Sequence, residues 1–354
     1  MNRNSNRYIA AAFALSMTAL ACLPAASVAQ SAQKLTTVRV QDFGAGINTI
    51  GALLVRADGL AEKQGIDLKV LPPIFNAAGI ANVVMQGQAD IGFGGATAII
   101  SLIQQKRPVK IIAVIAQTFE AEIALTNAAL ATLAKRGITP ESPLKDRLAA
   151  LKGLKLAGPS AGSSTDQVIR YAFKQFGVDA NRDVIMQPLP DLASIIGAAR
   201  QGVVDGLMGT HGSGPVQMEA DKSGRIFIAF QKEDKGLQVA PQHVLFATDD
   251  YIKNNGDTIR RFLAAHLEAK NMLRKGITQA QRDKVKEQFF RDMAPATYNG
   301  LLDSVIYITL APMTAFQAQL DVLLAIHNLA ADTPVKLSFN EVFDNRFAEA
   351  VEKK

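Results

Sequence analysis

Two short segments rich in glycine and hydroxyl side chains have the composition of an anion-binding site. Their candidate residues are Gly46, Asn48 and Thr49 in the first segment and Gly162, Ser163, Ser164 and Thr165 in the second. A helix is predicted to begin at each segment, and the first turn of a helix presents unpaired N–H groups at its positive end. Two such ends facing each other across a cleft would bind a small carboxylate, sulfonate or nitrate-like group. Simple N-capping is the alternative, since Ser163 with Asp166 fits a capping box.

Both segments belong to a repeat that runs through the chain. Each glycine-to-threonine motif is followed by a helical stretch and then by a Q-G-x-x-D motif, at Gln86–Asp90 and at Gln201–Asp205. The offset is 116 residues for the first motif and 115 for the second. A period of this length predicts two similar α/β lobes, because solenoid repeats span about 20–50 residues. The Gln-Gly pairs are interpreted as helix C-caps, and the two aspartates as turn-stabilising residues outside the binding site.

Glycine-containing loops are predicted after a buried strand in each half. They supply the candidate contacts Gly95, Ala96 and Thr97 in the first half and Thr210 and His211 in the second. Ligands of open α/β sheets bind beyond the carboxyl ends of the strands, so both loops are expected to form cleft walls. The alternative is that these glycines only shape tight turns. His211 is the only histidine within the repeated motifs, and the other three are interpreted as ordinary surface or core residues.

Strands alternate with helical patterns along most of the chain, which predicts parallel βαβ units and an α/β fold. The first lobe is predicted to comprise residues 30–118 and 244–354, with residues 119–243 inserted as the second lobe. Residues 127–152 form a helical excursion within the inserted lobe. The chain would cross between lobes near Gln117–Phe119 and near Gln238–His243, and two crossing strands would make a hinge. Gln117 is a candidate ligand contact at the first crossing.

Residues 1–29 have the pattern of an export signal, with Arg3 and Arg7, an apolar stretch and small residues ending at Ala29. An uncleaved membrane anchor is the alternative, and lipidation at Cys22 is not expected, because Ala19 stands where a lipid-attachment site has leucine. Cleavage would remove the only cysteine and leave a net charge of +4. Disulfides and a structural zinc site are therefore not expected, and no cofactor is predicted. The cations are dispersed, which does not indicate nucleic-acid binding.

One motif indicates an enzyme instead. Gly158–Gly162 matches G-x-S-x-G between a strand and a helix, the context of a hydrolase nucleophile, which would be Ser160. However, the helix is predicted to begin near Ser164, whereas a hydrolase helix begins directly after the nucleophile. No downstream Asp and His lie in recognisable loops after strands. Ser160 is therefore retained as a ligand contact, and no catalytic residue is predicted.

Four segments resemble periplasmic solute-binding proteins of nitrate, sulfonate and taurine ABC importers. They are Gly59–Asp67, Gln86–Gly92, Leu151–Asp166 and Asp249–Phe262, in the order found in that family. The resemblance spans about residues 38–265. It implies a two-lobed periplasmic-binding-protein type II fold, in which each lobe has a mostly parallel sheet flanked by helices and two crossing strands form the hinge.

The resemblance also implies a monomer that captures a ligand between its lobes and delivers it to an importer permease with its cytoplasmic ATPase. The predicted cleft loops contain no lysine or arginine. An organic anion of the sulfonate or carboxylate class, held by hydroxyls and helix dipoles, is therefore expected rather than bare nitrate. A serine hydrolase and a ligand-sensing accessory of a membrane receptor remain as alternatives.

Overall fold

A computed structural model describes residues 35–44, 46–74, 76–331 and 334–353. The predicted signal segment 1–29, with Cys22, lies outside these residues. The strands are β1 (Thr36–Gln41), β2 (Ile66–Val70), β3 (Ile91–Gly95), β4 (Val109–Gln117), β5 (Glu122–Thr126), β6 (Lys155–Gly158), β7 (Ile185–Pro188), β8 (Gly206–Gly209), β9 (Gly224–Ala229) and β10 (Pro241–Thr248).

Helices follow most strands, as the alternating pattern predicts. Up to the end of β9 they are α1 (Ile50–Ala57), α2 (Leu60–Lys63), α3 (Ala77–Met85), α4 (Ala96–Gln104), α5 (Asn127–Ala134), α6 (Leu144–Ala150), α7 (Ser164–Gln175), α8 (Leu192–Arg200) and α9 (Gly214–Ala220). Beyond β9 they are α10 (Phe230–Glu233), α11 (Lys235–Val239), α12 (Asp249–Asn254), α13 (Gly256–Lys275), α14 (Gln279–Phe289), α15 (Pro295–Val305), α16 (Gln317–Ala331), α17 (Phe339–Val342) and α18 (Arg346–Glu352). Short 3₁₀ helices cover Ile47–Thr49 and Ile306–Thr309.

The strands form two mixed five-stranded sheets with matching topology. Their orders are β2-β1-β3-β10-β4 and β7-β6-β8-β5-β9. In the first sheet β1 pairs in parallel with β2 and β3, while β10 is antiparallel to β3 and β4. The second sheet repeats this pattern, with β5 as its reversed strand. We call each sheet with its flanking helices the first and the second lobe, and the predicted two-lobed α/β fold is confirmed.

The repeated aspartates play the same part in both lobes. Asp90 accepts a hydrogen bond from the backbone N–H of Arg39 at 2.7 Å, and Asp205 accepts one from the backbone N–H of Lys155 at 2.8 Å. Arg39 lies in β1 and Lys155 in β6, so each carboxylate joins the entry of one strand, β3 or β8, to its parallel neighbour in the sheet. The Q-G-x-x-D repeat therefore encodes strand registration.

Two connections link the lobes and are hydrogen-bonded to each other. The first joins β4 to β5, and the second passes from β9 through α10 and α11 to β10. The N–H of Phe119 donates to the carbonyl of Leu237 at 2.6 Å, and Thr118 Oγ1 donates to the carbonyl of Gln238 at 2.9 Å. Pro241 also pairs with Gln117 across β10 and β4. Both connections therefore lie side by side, as a hinge requires.

Two local expectations need correction. The glycine-containing loop predicted in the first half, with Gly95, Ala96 and Thr97, is not a loop, because β3 continues through Gly95 and α4 begins at Ala96. Gly94 and Gly95 pair with β10, and this pairing keeps them extended. The helix predicted to begin at the first glycine-rich segment is divided into a 3₁₀ turn, α1 and α2. Gly59, with φ +62°, makes the break between α1 and α2.

Helices cover both faces of each sheet and bury its apolar side chains. The C-terminal helix α16 packs on both lobes, because Leu320 and Leu323 join the core of the first lobe and Ile326 joins that of the second. The lobe boundaries themselves stay a prediction. Within the described ranges, no helix is long and apolar enough to cross a membrane.

Candidate ligand-binding cleft

A cavity of about 260 Å³ lies between the lobes, at the carboxyl ends of β3 and β8. Eight of the fourteen predicted contacts line it: Gly46, Asn48, Gly95, Ser160, Ser163, Ser164, Thr165 and Thr210. They come from loops and helix starts of both lobes. The predicted repeat therefore places glycine and hydroxyl residues of the two halves in one cavity wall.

The start of α7 is the most polar part of this wall. Ser163 is the N-cap, and its Oγ accepts a hydrogen bond from the N–H of Asp166 at 3.3 Å. The Asp166 carboxylate accepts from the N–H of Gly162 at 2.8 Å and from Arg170 at 3.0 Å. Ser163 therefore caps the helix and also lines the cavity. Gly162, with φ +77°, makes the turn before the cap and does not line this cavity.

Side-chain hydrogen bonds join the lobes at the cavity and next to it. Ser164 Oγ, on α7, accepts from the backbone N–H of Ala98 in α4 at 3.0 Å. Asn48 Nδ2 donates to Thr210 Oγ1 at 3.3 Å, and Gln167 Nε2 donates to Ser101 Oγ at 3.2 Å. Direct bonding between opposite walls is the geometry of a closed cleft.

Three first-lobe candidates lie behind the wall rather than in it. Thr49 is 2% exposed and its Oγ1 donates to the carbonyl of Gly46 at 2.7 Å. Ala96 and Thr97 are fully buried in the first turn of α4. These residues position the wall, and a direct contact of theirs with ligand stays a prediction.

His211 and Gln117 also lie outside the cavity wall. His211 Nδ1 is 2.9 Å from Glu122 Oε1. Burial opposes the charged form of His211, but the hydrogen bond and attraction to Glu122 outweigh it and raise the pKa of His211. Gln117 Oε1 accepts from Gln319 Nε2 at 3.3 Å. Both side chains thus have structural partners near the hinge.

Several polar wall residues were missed by sequence reasoning. They are Asn76, Asp191, Ser213, Gln242 and His243. His243 is predicted to be an ordinary surface or core residue, but it lines the cavity. Burial lowers the pKa of His243 to about 4, so its ring is neutral at neutral pH. Gln242 is 1% exposed, and neither of its amide atoms has a hydrogen-bond partner among the described residues. For Gln242 and His243, the one signal in the sequence is their position beside the predicted second crossing between the lobes, at the start of β10.

Among the described residues, the cavity wall contains no lysine or arginine, and its one carboxylate is that of Asp191. Asp191 caps α8 by accepting from the N–H of Ser194 at 2.7 Å. That backbone hydrogen bond lowers the pKa of Asp191, which is therefore ionised at neutral pH. No cluster of metal-ligating side chains occurs in the described part of the chain.

The geometry argues against Ser160 as a hydrolase nucleophile. His243 is the histidine of the same cavity, and its Nδ1 has no hydrogen-bond partner among the described residues. A catalytic histidine needs such a partner to fix its tautomer and orientation. The helix α7 begins at Ser164, four residues after Ser160, and not directly behind it.

Several solved structures have the same fold as this chain. A protein from Bordetella bronchiseptica RB50 superimposes with a TM-score of 0.73 at 17% identity, covering 90% of this chain and 98% of that one. The periplasmic aliphatic sulphonate binding protein SsuA from Escherichia coli gives 0.65 at 18% identity, covering 86% and 96%. The periplasmic nitrate-binding protein NrtA from Synechocystis PCC 6803 gives 0.65 at 14% identity, covering 90% and 89%. A desulfurization enzyme also shares the fold, so the fold alone does not decide between binding and catalysis.

The sequence comparison identifies the family. No curated protein matches the chain significantly. The family model described as NMT1/THI5 like matches residues 46–280, which is more than half of the chain. This match confirms the resemblance to the nitrate, sulfonate and taurine binding proteins drawn from the four sequence segments. The chain is a member of the NMT1/THI5 like family.

Proposed function

We propose that this protein is an exported, periplasmic solute-binding protein that captures a small organic anion and delivers it to an ABC importer. The anion would be a sulfonate or a carboxylate. The observation that carries the proposal is a cavity shared by both lobes, into which the hydroxyl-rich start of α7 opens. We further propose that the protein acts as a monomer, with the importer permease and its cytoplasmic ATPase as partners.

The anionic group would bind at the start of α7. The first-turn N–H groups of α7 and the positive end of its dipole favour negative charge. Ser160 and Thr165 in the same wall offer hydroxyl donors. Because the described part of the wall has no lysine or arginine, helix ends such as this one are its source of positive potential. The ionised Asp191 disfavours a second negative charge beside it.

Ligand contacts with both walls would stabilise the closed cleft. In the closed arrangement Ser164 bonds to Ala98 and Asn48 bonds to Thr210 across the cavity. A ligand that contacts both lobes binds this arrangement more tightly than an open one and shifts the population toward it. The closed form is then the state that a permease can distinguish from the empty protein.

Thermal unfolding with a ligand panel tests the proposal. The panel contains alkanesulfonates, nitrate, aliphatic carboxylates and aromatic carboxylates at millimolar concentration, added to residues 30–354. A ligand at about 100 times its Kd stabilises the folded state by about 2.7 kcal/mol, which raises the Tm by a few degrees. A rise with one class of organic anion is the expected outcome, and no rise with any organic anion would refute the proposed ligand class.

A single substitution tests the place of the anionic group. Thr165→Ala should weaken binding about tenfold, because a hydroxyl hydrogen bond to a charged group contributes about 1.5 kcal/mol. Thr132→Ala is the matched control, since Thr132 is an exposed helical threonine whose Oγ1 donates to the carbonyl of Ala128. Equal affinities of the Thr165 and Thr132 variants, measured by calorimetry, would place the anion elsewhere.

A further inference from the structure

The hinge side of the cavity has an uncharged polar surface formed by Gln242 and His243. Both residues lie at the start of β10, directly after the second connection between the lobes, and both line the cavity. Gln242 is 1% exposed and His243 is 7% exposed. Among the described residues, neither Nε2 nor Oε1 of Gln242 has a hydrogen-bond partner, and Nδ1 of His243 has none.

Buried polar groups in folded proteins are normally paired, because an unpaired one loses its hydrogen bonds to water without replacement. The amide of Gln242 offers donors at Nε2 and an acceptor at Oε1. A carboxylate or sulfonate only accepts, so it could pair with Nε2 but would leave Oε1 without a donor. The complement of this amide is therefore a group that both donates and accepts.

The surroundings of Gln242 and His243 are aromatic, and no described residue of the cavity wall is a lysine or an arginine. The ring centroid of His243 lies 5.1 Å from that of Phe43 and 5.7 Å from that of Phe93. Phe43 also lines the cavity. Burial lowers the pKa of His243 to about 4, so its ring is neutral at physiological pH. A flat, uncharged group fits this surface better than an ion does.

We propose that the ligand carries, besides its anionic group, an uncharged planar group with a hydrogen-bond donor and acceptor side by side, and that Gln242 and His243 bind it. A primary carboxamide or a urea has this chemistry. This inference rests on the proposed function, which places the anionic group at α7. Gln242 and His243 are then the residues that select among organic anions.

Two pairs of nearly isosteric acids test the inference by calorimetry. Succinamate is compared with levulinate, and 4-carbamoylbenzoate with 4-acetylbenzoate. In each pair a methyl ketone replaces the primary amide, so the acceptor is kept and the donor is lost. The amide of at least one pair should bind about tenfold more tightly, the effect of one additional hydrogen bond in a site that excludes water.

Variants separate a recognition role from a structural one. Gln242→Met should bind the amide and the ketone equally, with a smaller loss of affinity for the ketone, because the ketone loses only its bond from Nε2 and the amide loses its bonds to both amide atoms. Gln319→Met is the matched control, because Gln319 is a buried glutamine that bonds to Gln117 outside the cavity, and it should keep the preference. If Gln242→Met does not fold, His243→Phe keeps the aromatic ring and removes Nδ1, and it should reduce the preference.

The outcomes distinguish this inference from the proposed function. Equal binding of amide and ketone by the unsubstituted protein, or an unchanged preference in the Gln242 and His243 variants, would overturn the inference alone. If none of the four acids binds while an alkanesulfonate without a planar polar group does, the inference fails and the anion-binding function stands. If no organic anion binds, both fail.

Discussion

Gly95 is the position where a single methyl group should prevent closure of the cleft. Its backbone is extended, with φ −79° and ψ 134°, so alanine introduces no backbone strain. A Cβ atom there would lie 2.2 Å from Ser164 Oγ and 2.5 Å from Ser164 Cβ. Rotation of the serine hydroxyl cannot relieve the contact with its Cβ. The Gly95→Ala variant must therefore move α7 away from α4.

Gly95→Ala should raise the free energy of the closed form and leave that of the open form unchanged. Insertion of a methyl group into a packed contact costs about 1–3 kcal/mol. Separation of the walls also weakens the hydrogen bond from Ala98 N–H to Ser164 Oγ, which contributes about 1 kcal/mol. An open cleft has neither the clash nor the bond. A net penalty of about 2 kcal/mol on closure corresponds to an affinity about thirtyfold lower.

The assay combines calorimetry with small-angle scattering, using the ligand from the panel that gives the largest rise in Tm. Gly95→Ala should bind it about thirtyfold more weakly and show a larger radius of gyration with ligand than the unsubstituted protein. Gly300→Ala is the control, because an added Cβ at Gly300 has no atom within 4 Å. Gly95→Ala with Ser164→Gly should regain part of the affinity, since the opposing side chain is removed.

Two results would refute this reasoning. One is wild-type affinity in Gly95→Ala, together with the same ligand-induced compaction. The other is a double variant, Gly95→Ala with Ser164→Gly, that binds no better than Gly95→Ala alone. In that case the lost affinity would come from a change within the first lobe, and contact between the lobes would not be its cause.

Two further predictions concern stability and reactivity. Burial raises the pKa of Glu120 to about 7 from an ordinary 4.5. Between these two pH values the folded protein keeps the carboxyl proton and the unfolded chain loses it. The free energy of unfolding therefore falls as the pH rises from 4.5 to 7. Relative to the unsubstituted protein, Glu120→Gln should therefore gain about 2.5 kcal/mol in free energy of unfolding between pH 5 and pH 8, as measured by urea denaturation, and an unchanged difference would contradict this. A fluorophosphonate probe should not label Ser160, because Nδ1 of His243 has no hydrogen-bond partner among the described residues that would orient its ring. Labelling of Ser160 would support the hydrolase alternative.

The fold could be predicted because its determinants are local. Gly87 and Gly202, with φ +69° and +70°, end the equivalent helices α3 and α8 as the Gln-Gly pairs predict. The apolar runs between these helix-ending glycines are long enough to predict strands, in the order along the chain that the structure has. The start of α7 was also predictable, since Ser163 caps it within a span of four residues.

The cavity could be predicted only in part, because several of its residues meet through tertiary structure alone. Gln242 and His243 have no repeated counterpart and no local motif. His211 was expected in the cavity because it lies within the repeat, but its partner Glu122 is 89 residues away in sequence, and no local pattern shows that pairing. Gly94 and Gly95 resemble a turn, although pairing with β10 keeps them in a strand.

The repeat suggested two equivalent anion-binding helix ends, but the two lobes use their helix starts differently. The second lobe's Ser164 accepts the hydrogen bond from Ala98 N–H, so the first turn of α4 is partly satisfied by the protein itself. Thr49 is occupied by its bond to Gly46 and lies behind the wall. The start of α7 is also capped, by Ser163, but its hydroxyl side chains line the cavity, and the proposed function places the anion there. A cleft built from matching lobes would therefore have one end for negative charge and, at Gln242, one end for an uncharged group, and this polarity would fix the direction in which a ligand binds.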